Sequence, residues 1–73
     1  MLDEKKFDYY MSLDYPVKMG FDDEYQVFTA EVPALPGLKV YGDTVAEALT
    51  ELEDAKASWI SSTLDHGLEV PKP

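Results

Sequence analysis

A β-strand cannot run through two prolines set three residues apart, and that restriction orders this chain. The stretch Val32 to Leu49 reads V-P-A-L-P-G-L-K-V-Y-G-D-T-V-A-E-A-L. Pro33 and Pro36 have no backbone N–H, so an interior strand must stop before them. Pro36-Gly37 marks a turn that needs unusual dihedrals. Leu38 to Tyr41 is short and β-prone, and Gly42-Asp43 breaks it. Thr44 then heads T-V-A-E, a capping box in which the Thr44 hydroxyl accepts from the Glu47 N–H and the Glu47 side chain reaches back. These signals set where a sheet ends and a helix begins.

Upstream, Phe7 to Met19 reads as the first strand region. Met11, Leu13, Tyr15, Val17 and Met19 alternate with polar residues and Pro16, a period of two. Pro16 bends that strand or holds it at an edge. Gly20 to Glu24 is the next turn and ends in three acids, Asp22, Asp23 and Glu24. Tyr25 to Val32 is the second strand. It is apolar on both sides, with Tyr25 and Val27 on one and Phe28, Ala30 and Val32 on the other, as expected of a sheet covered on both faces.

The helix is expected from Val45 to His66. Val45, Leu49, Leu52, Ala55, Trp59, Ile60 and Thr63 form its apolar stripe, with Ala48 and Leu64 flanking it. Trp59 on that stripe is expected in the core. His66 suits the negative helix end, and Gly67 the left-handed cap. Leu68 to Val70 is read as a short last strand, parallel to the first after the helical crossover. The fold class is therefore α+β: a two-layer β-β-β-α-(β) domain, its three-stranded antiparallel sheet extended by a short last strand, with one helix on one face.

At 73 residues the chain is read as one domain, 1–73, with a frayed N-terminus over 1–8 and the start of a linker or C-terminus at 71–73. With no cysteine it has neither disulfides nor thiolate metal sites, so its stability must come from packing, helped by self-association. No segment approaches membrane-spanning length, and the expected location is the cytoplasm. The formal net charge is −9, with six lysines and no arginine. Such a surface repels phosphate backbones and attracts basic partners. Lys5, Lys6, Lys18, Lys39, Lys56 and Lys72 are scattered, so no basic stripe for nucleic acid is present.

No constellation signals catalysis. The acids Asp22 to Glu24 lack the spaced ligands and central glycine of a calcium loop and read as a solvated turn. His66, the sole histidine, reads as a helix cap rather than a member of a nucleophilic triad. The four glycines form no phosphate-binding pattern. The chain is expected to be no enzyme and to need no cofactor or metal.

Two segments, F-T-A-E-V-P-A-L-P-G-L and Y-G-D-T-V-A-E-A-L, resemble the HicB antitoxin domain. Its members typically read aromatic-x-A-x-x-P-D-L-P-G-C and then G-D-T-x-E-E-A-L. Y-Y-M-S-L-D-Y-P-V and the closing G-L-E-V-P-K-P stand where that family has its first strand and its G-x-x-I-P-x-P ending. The likeness extends over roughly Tyr9 to Pro73. Ala34 replaces the usual Asp, Leu38 the usual Cys, and Ala46 stands where Glu is common.

What the resemblance implies is a degraded ribonuclease-H-like fold without catalytic residues. It also implies neutralisation of HicA, a small basic toxin that cleaves messenger RNA. Many such proteins continue into a DNA-binding domain; the expectation here is that none is present, and that operator binding does not carry over. The partners expected are a basic HicA-like toxin and further copies of the chain, as a dimer or tetramer, with no nucleic acid and no membrane. The candidate contact residues are Asp22, Asp23, Glu24 and Tyr25, with Lys39 and Tyr41 on adjacent sheet positions. A stand-alone oligomerising domain without a toxin is the alternative. A metal-dependent hydrolase would have to draw on Asp14, Glu31 and Asp43.

Overall fold

The computed structural model describes residues 4–73. Its elements run α1 (Glu4–Met11), β1 (Lys18–Asp22), β2 (Val27–Glu31), β3 (Lys39–Gly42) and α2 (Val45–Asp65). The strands form one antiparallel sheet in the order β1-β2-β3. The chain is α+β with a three-stranded antiparallel sheet and two helices.

Two rows of residues cross the inner face of the sheet. Met19, Ala30 and Val40 share one, and Phe21, Phe28 and Gly42 the next. Ala30 is fully buried. Gly42 has to be glycine, because a Cβ there would collide with the backbone nitrogen of Ala48 in α2. That close approach seats α2 on β2 and β3; among the described residues it does not reach β1.

The capping box forms at Thr44. Its hydroxyl accepts from the Glu47 N–H at 3.0 Å, while the Glu47 carboxylate reaches one residue further back, to the Asp43 N–H at 3.1 Å. At the other end Gly67 has φ +69°, its N–H bonds Leu64 O, and the Leu68 N–H bonds Thr63 O. This Schellman motif turns the chain back toward the body.

The Pro33–Gly37 corner is tied into the core. Val32, Leu35 and Leu38 are buried, and their backbones bond one another around the bend. Gly37 adopts φ +84°. From α2 the Trp59 indole N–H donates to Pro36 O at 3.1 Å.

The structure corrects four expectations. Residues 4–11 are neither frayed nor strand but helix α1, because Phe7, Tyr10 and Met11 fall at three- and four-residue spacing and pack against the core. Residues 1–3 of the expected frayed segment lie outside the described residues. The first strand starts only at Lys18, beyond Pro16, and Gly20 to Asp22 belong to it rather than to a turn. Leu68 to Val70 is no strand; Val70 is buried as a single plug, and the Tyr15 hydroxyl donates to Pro71 O at 2.6 Å. The apolar stripe of α2 is rotated from the expected one. Ala48, Leu52, Lys56 and Ile60 are buried, Trp59 is half-buried, and Val45 and Leu49 are exposed. Lys56 reaches its core position because its aliphatic stem is apolar, while its ammonium lies 5.6 Å above the Tyr15 ring and 3.9 Å from Glu53 Oε1.

Candidate partner-binding face

Among the described residues the outer face of the sheet carries no helix. Strand alternation places Lys18, Gly20 and Asp22 of β1, Val27, Thr29 and Glu31 of β2, and Lys39 and Tyr41 of β3 on it. One end is charged: Lys18, Glu31 and Lys39 stand in a row, with Lys18 Nζ 3.8 Å from Glu31 Oε1. The other end is apolar. Tyr25, 70% exposed, and Tyr41, 53% exposed, flank Val27 around a shallow concavity of about 320 Å³. Lys39 ties the two ends together, its ammonium 5.9 Å above the Tyr41 ring. Two large exposed aromatics beside an aliphatic residue suit them to anchor a partner.

Carboxylates border this apolar end on both sides. On the β3 side a second concavity, about 340 Å³, is lined by Val27, Tyr41, Gly42, Asp43, Glu47 and Glu51. Its acids come from the strand end and the first turns of α2. On the β1 side lies the turn that joins β1 to β2. Asp22 Oδ1 accepts from the N–H groups of Glu24 at 2.9 Å and Tyr25 at 3.2 Å, which shapes the turn. Gln26 takes φ +56°, and its side-chain amide donates to Asp23 O at 2.7 Å. These bonds all lie within residues 22–26, and Asp23, Glu24 and Tyr25 are exposed.

The sheet thus brings Tyr25 and Tyr41 together, puts Lys39 beside them and sets Asp22, Asp23 and Glu24 at the rim. Sequence reading missed Val27, Asp43, Glu47 and Glu51 as neighbours of this group. Val27 was legible as the partner of Tyr25 on the outer side. The three acids were not, because their place depends on how closely α2 starts beside β3 at Gly42. The Pro33–Gly37 corner buries Leu35, with Val32 and Leu38 buried on either side of it in the chain. Among the described residues no group of three or more carboxylate or imidazole side chains could hold a metal ion, so Asp14, Glu31 and Asp43 form no such set. No described helix is long and apolar enough to cross a membrane.

The face is thus aromatic at its centre and acidic at its rim, on a small α+β scaffold. The family model for HicB-like antitoxins of bacterial toxin–antitoxin systems matches residues 15–73, and the chain belongs to that family. The chain is 36% identical over 50 residues to UPF0150 protein Ta0767 of Thermoplasma acidophilum, an alignment covering 68% of this chain and 72% of that protein. It is 39% identical over 44 residues to UPF0150 protein ssl0259 of Synechocystis sp., which covers 60% of each; the match thus spans less than two thirds of that second relative. No solved structure matches. Membership in an antitoxin family implies a toxin as partner.

Proposed function

We propose that this chain neutralises a small, basic, HicA-like toxin that cleaves messenger RNA, by laying its outer sheet face over the toxin's RNA-binding surface. The observation that carries the reading is the exposed Tyr25–Val27–Tyr41 group bordered by Asp22, Asp23, Glu24, Asp43, Glu47 and Glu51, on a chain of net charge −9. A surface evolved to hold RNA phosphates presents lysine and arginine; a carboxylate rim competes for those groups, and the aromatic centre supplies the buried contact. Within this reading the chain acts by covering, not by catalysis. It works as one domain, its fold a reduced ribonuclease-H-like one, in the cytoplasm, without touching nucleic acid itself. Self-association belongs to the same proposal and is favoured by the uncovered apolar side of β1.

Rim charges and central anchors should separate kinetically. Against the toxin encoded beside it, Asp22→Asn with Asp23→Asn and Glu24→Gln should slow association and flatten its salt dependence, while Tyr41→Ala should speed dissociation about tenfold or more. Surface-plasmon kinetics at two ionic strengths read both. Unchanged association in the triple variant would remove the turn from the interface, and no binding to a basic neighbouring toxin would overturn the reading.

A further inference from the structure

Strand β1 is left half-finished on two sides. Its outer edge has no partner strand among the described residues. Its inner side is not reached by α2, which among the strands packs on β2 and β3. Met19 and Phe21, on the same face as the helix, are therefore 39% and 47% exposed, and Phe21 meets Phe28 in a T-shaped contact with ring centroids 5.0 Å apart. Val45 and Leu49 of α2 are also exposed, at 45% and 42%. By helical position they lie on the flank of α2 shared with Leu52 and Lys56, which border a cavity together with Tyr15 and Val17 just ahead of β1. An open, apolar edge strand without proline or bulge invites pairing with another strand.

The sequence of that strand, Lys18-Met19-Gly20-Phe21-Asp22, is its own complement. Run antiparallel to a second copy about a two-fold axis at Gly20, Lys18 stands opposite Asp22, Met19 opposite Phe21, and Gly20 opposite Gly20. Opposite charges meet on the outer face and apolar side chains on the inner face, the arrangement that stabilises cross-strand pairs. An isologous contact needs this kind of self-complementarity. Because the register preserves facing, both copies of α2 fall on the same side of a six-stranded sheet. The two Met19 and two Phe21 side chains then fill the trough that a single helix leaves uncovered. The β3 edge offers no such match: pairing Val40 with its own copy would set Lys39 against Tyr41 and leave Leu38, which is buried in its own core, facing Gly42.

We propose that the chain forms a two-fold dimer through antiparallel β1–β1 pairing centred on Gly20, its occupant a second copy of itself. This rests on the self-association part of the functional reading and not on the toxin. The two aromatic outer faces then lie on the same side of one continuous sheet, so a dimer would present two partner sites side by side.

Charge swapping tests the register. Lys18→Asp places two acids against each other at both ends of the interface, and Asp22→Lys places two lysines there. Each alone should raise the dimer dissociation constant about tenfold, since the two-fold repeats the pair. Mixing the two variants should restore a dimer of one copy of each, and the double variant should regain a dimer with itself. Sedimentation velocity of the full chain at 0.1 M and 0.5 M salt reads the association, with thermal melts showing that each variant is folded. Higher salt should strengthen the wild-type dimer, because two chains of charge −9 repel. A folded monomer at every concentration and salt would overturn both the self-association reading and this interface. A dimer that neither swap weakens would overturn the β1 pairing alone.

Discussion

The two bends that connect the strands are opposites. The Pro33–Gly37 corner buries Val32, Leu35 and Leu38, bonds its backbone around the bend and is held from α2 by the Trp59 indole. The Asp22–Gln26 turn keeps Asp23 to Gln26 exposed and is shaped by bonds within itself. Each has a residue in the left-handed region, but the corner uses glycine there and the turn uses Gln26. A bend that shares the core cannot change without cost to the fold. One that closes on itself leaves its side chains free for a partner, which is why the turn and not the corner borders the candidate binding face.

The sharpest test of that contrast is Leu35→Ala. Leu35 is fully buried, so the loss should be about 2–5 kcal/mol, a large share of what a domain this small has. A chemical-denaturation midpoint within error of wild type would erase the distinction between the two bends. At the small end, Asp23→Asn with Glu24→Gln should move stability by no more than about 0.5 kcal/mol, as expected of surface positions. A larger loss would show that the turn also supports the fold, and any effect on partner binding would then have two causes.

Much of this was legible in the sequence because it rests on local chemistry. The threonine cap, the Pro-Gly corner and the glycine after α2 act through backbone donors within a few residues, and each stands where it was read. Helix α1 was missed because Tyr9, Tyr10 and Met11 are as much at home in a strand, and an accidental alternation through Val17 hid the spacing of Phe7, Tyr10 and Met11. The last strand failed for the opposite reason: Val70 is apolar because one side chain plugs the core, and among the described residues it pairs with no strand. The phase of α2 was set by Gly42 drawing Ala48 onto the sheet, a contact between elements that no helical pattern contains. Of the candidate face, the Tyr25–Val27 pairing was readable from alternation. The acids of α2 that border it needed the tertiary fold.

The bond from the Tyr15 hydroxyl to Pro71 O joins residues 56 apart in a chain of 73. Bringing them together closes a loop over most of the molecule, at an entropic cost that is offset only when the elements between them are already placed. The clasp is thus expected to close late in folding, after the transition state. It should act as a brake on opening rather than an aid to assembly. Stopped-flow kinetics of Tyr15→Phe should show faster unfolding and nearly unchanged folding; slowed folding would place the clasp early. The brake also has a chemical release. Burial, with Tyr10 and Tyr9 adding to it, pushes the Tyr15 phenol above its usual range. Its contribution is complete below the unfolded phenol's pKa of about 10 and is lost as pH rises through the folded value. Alkali would therefore free the C-terminal segment by removing the proton that the Pro71 carbonyl accepts.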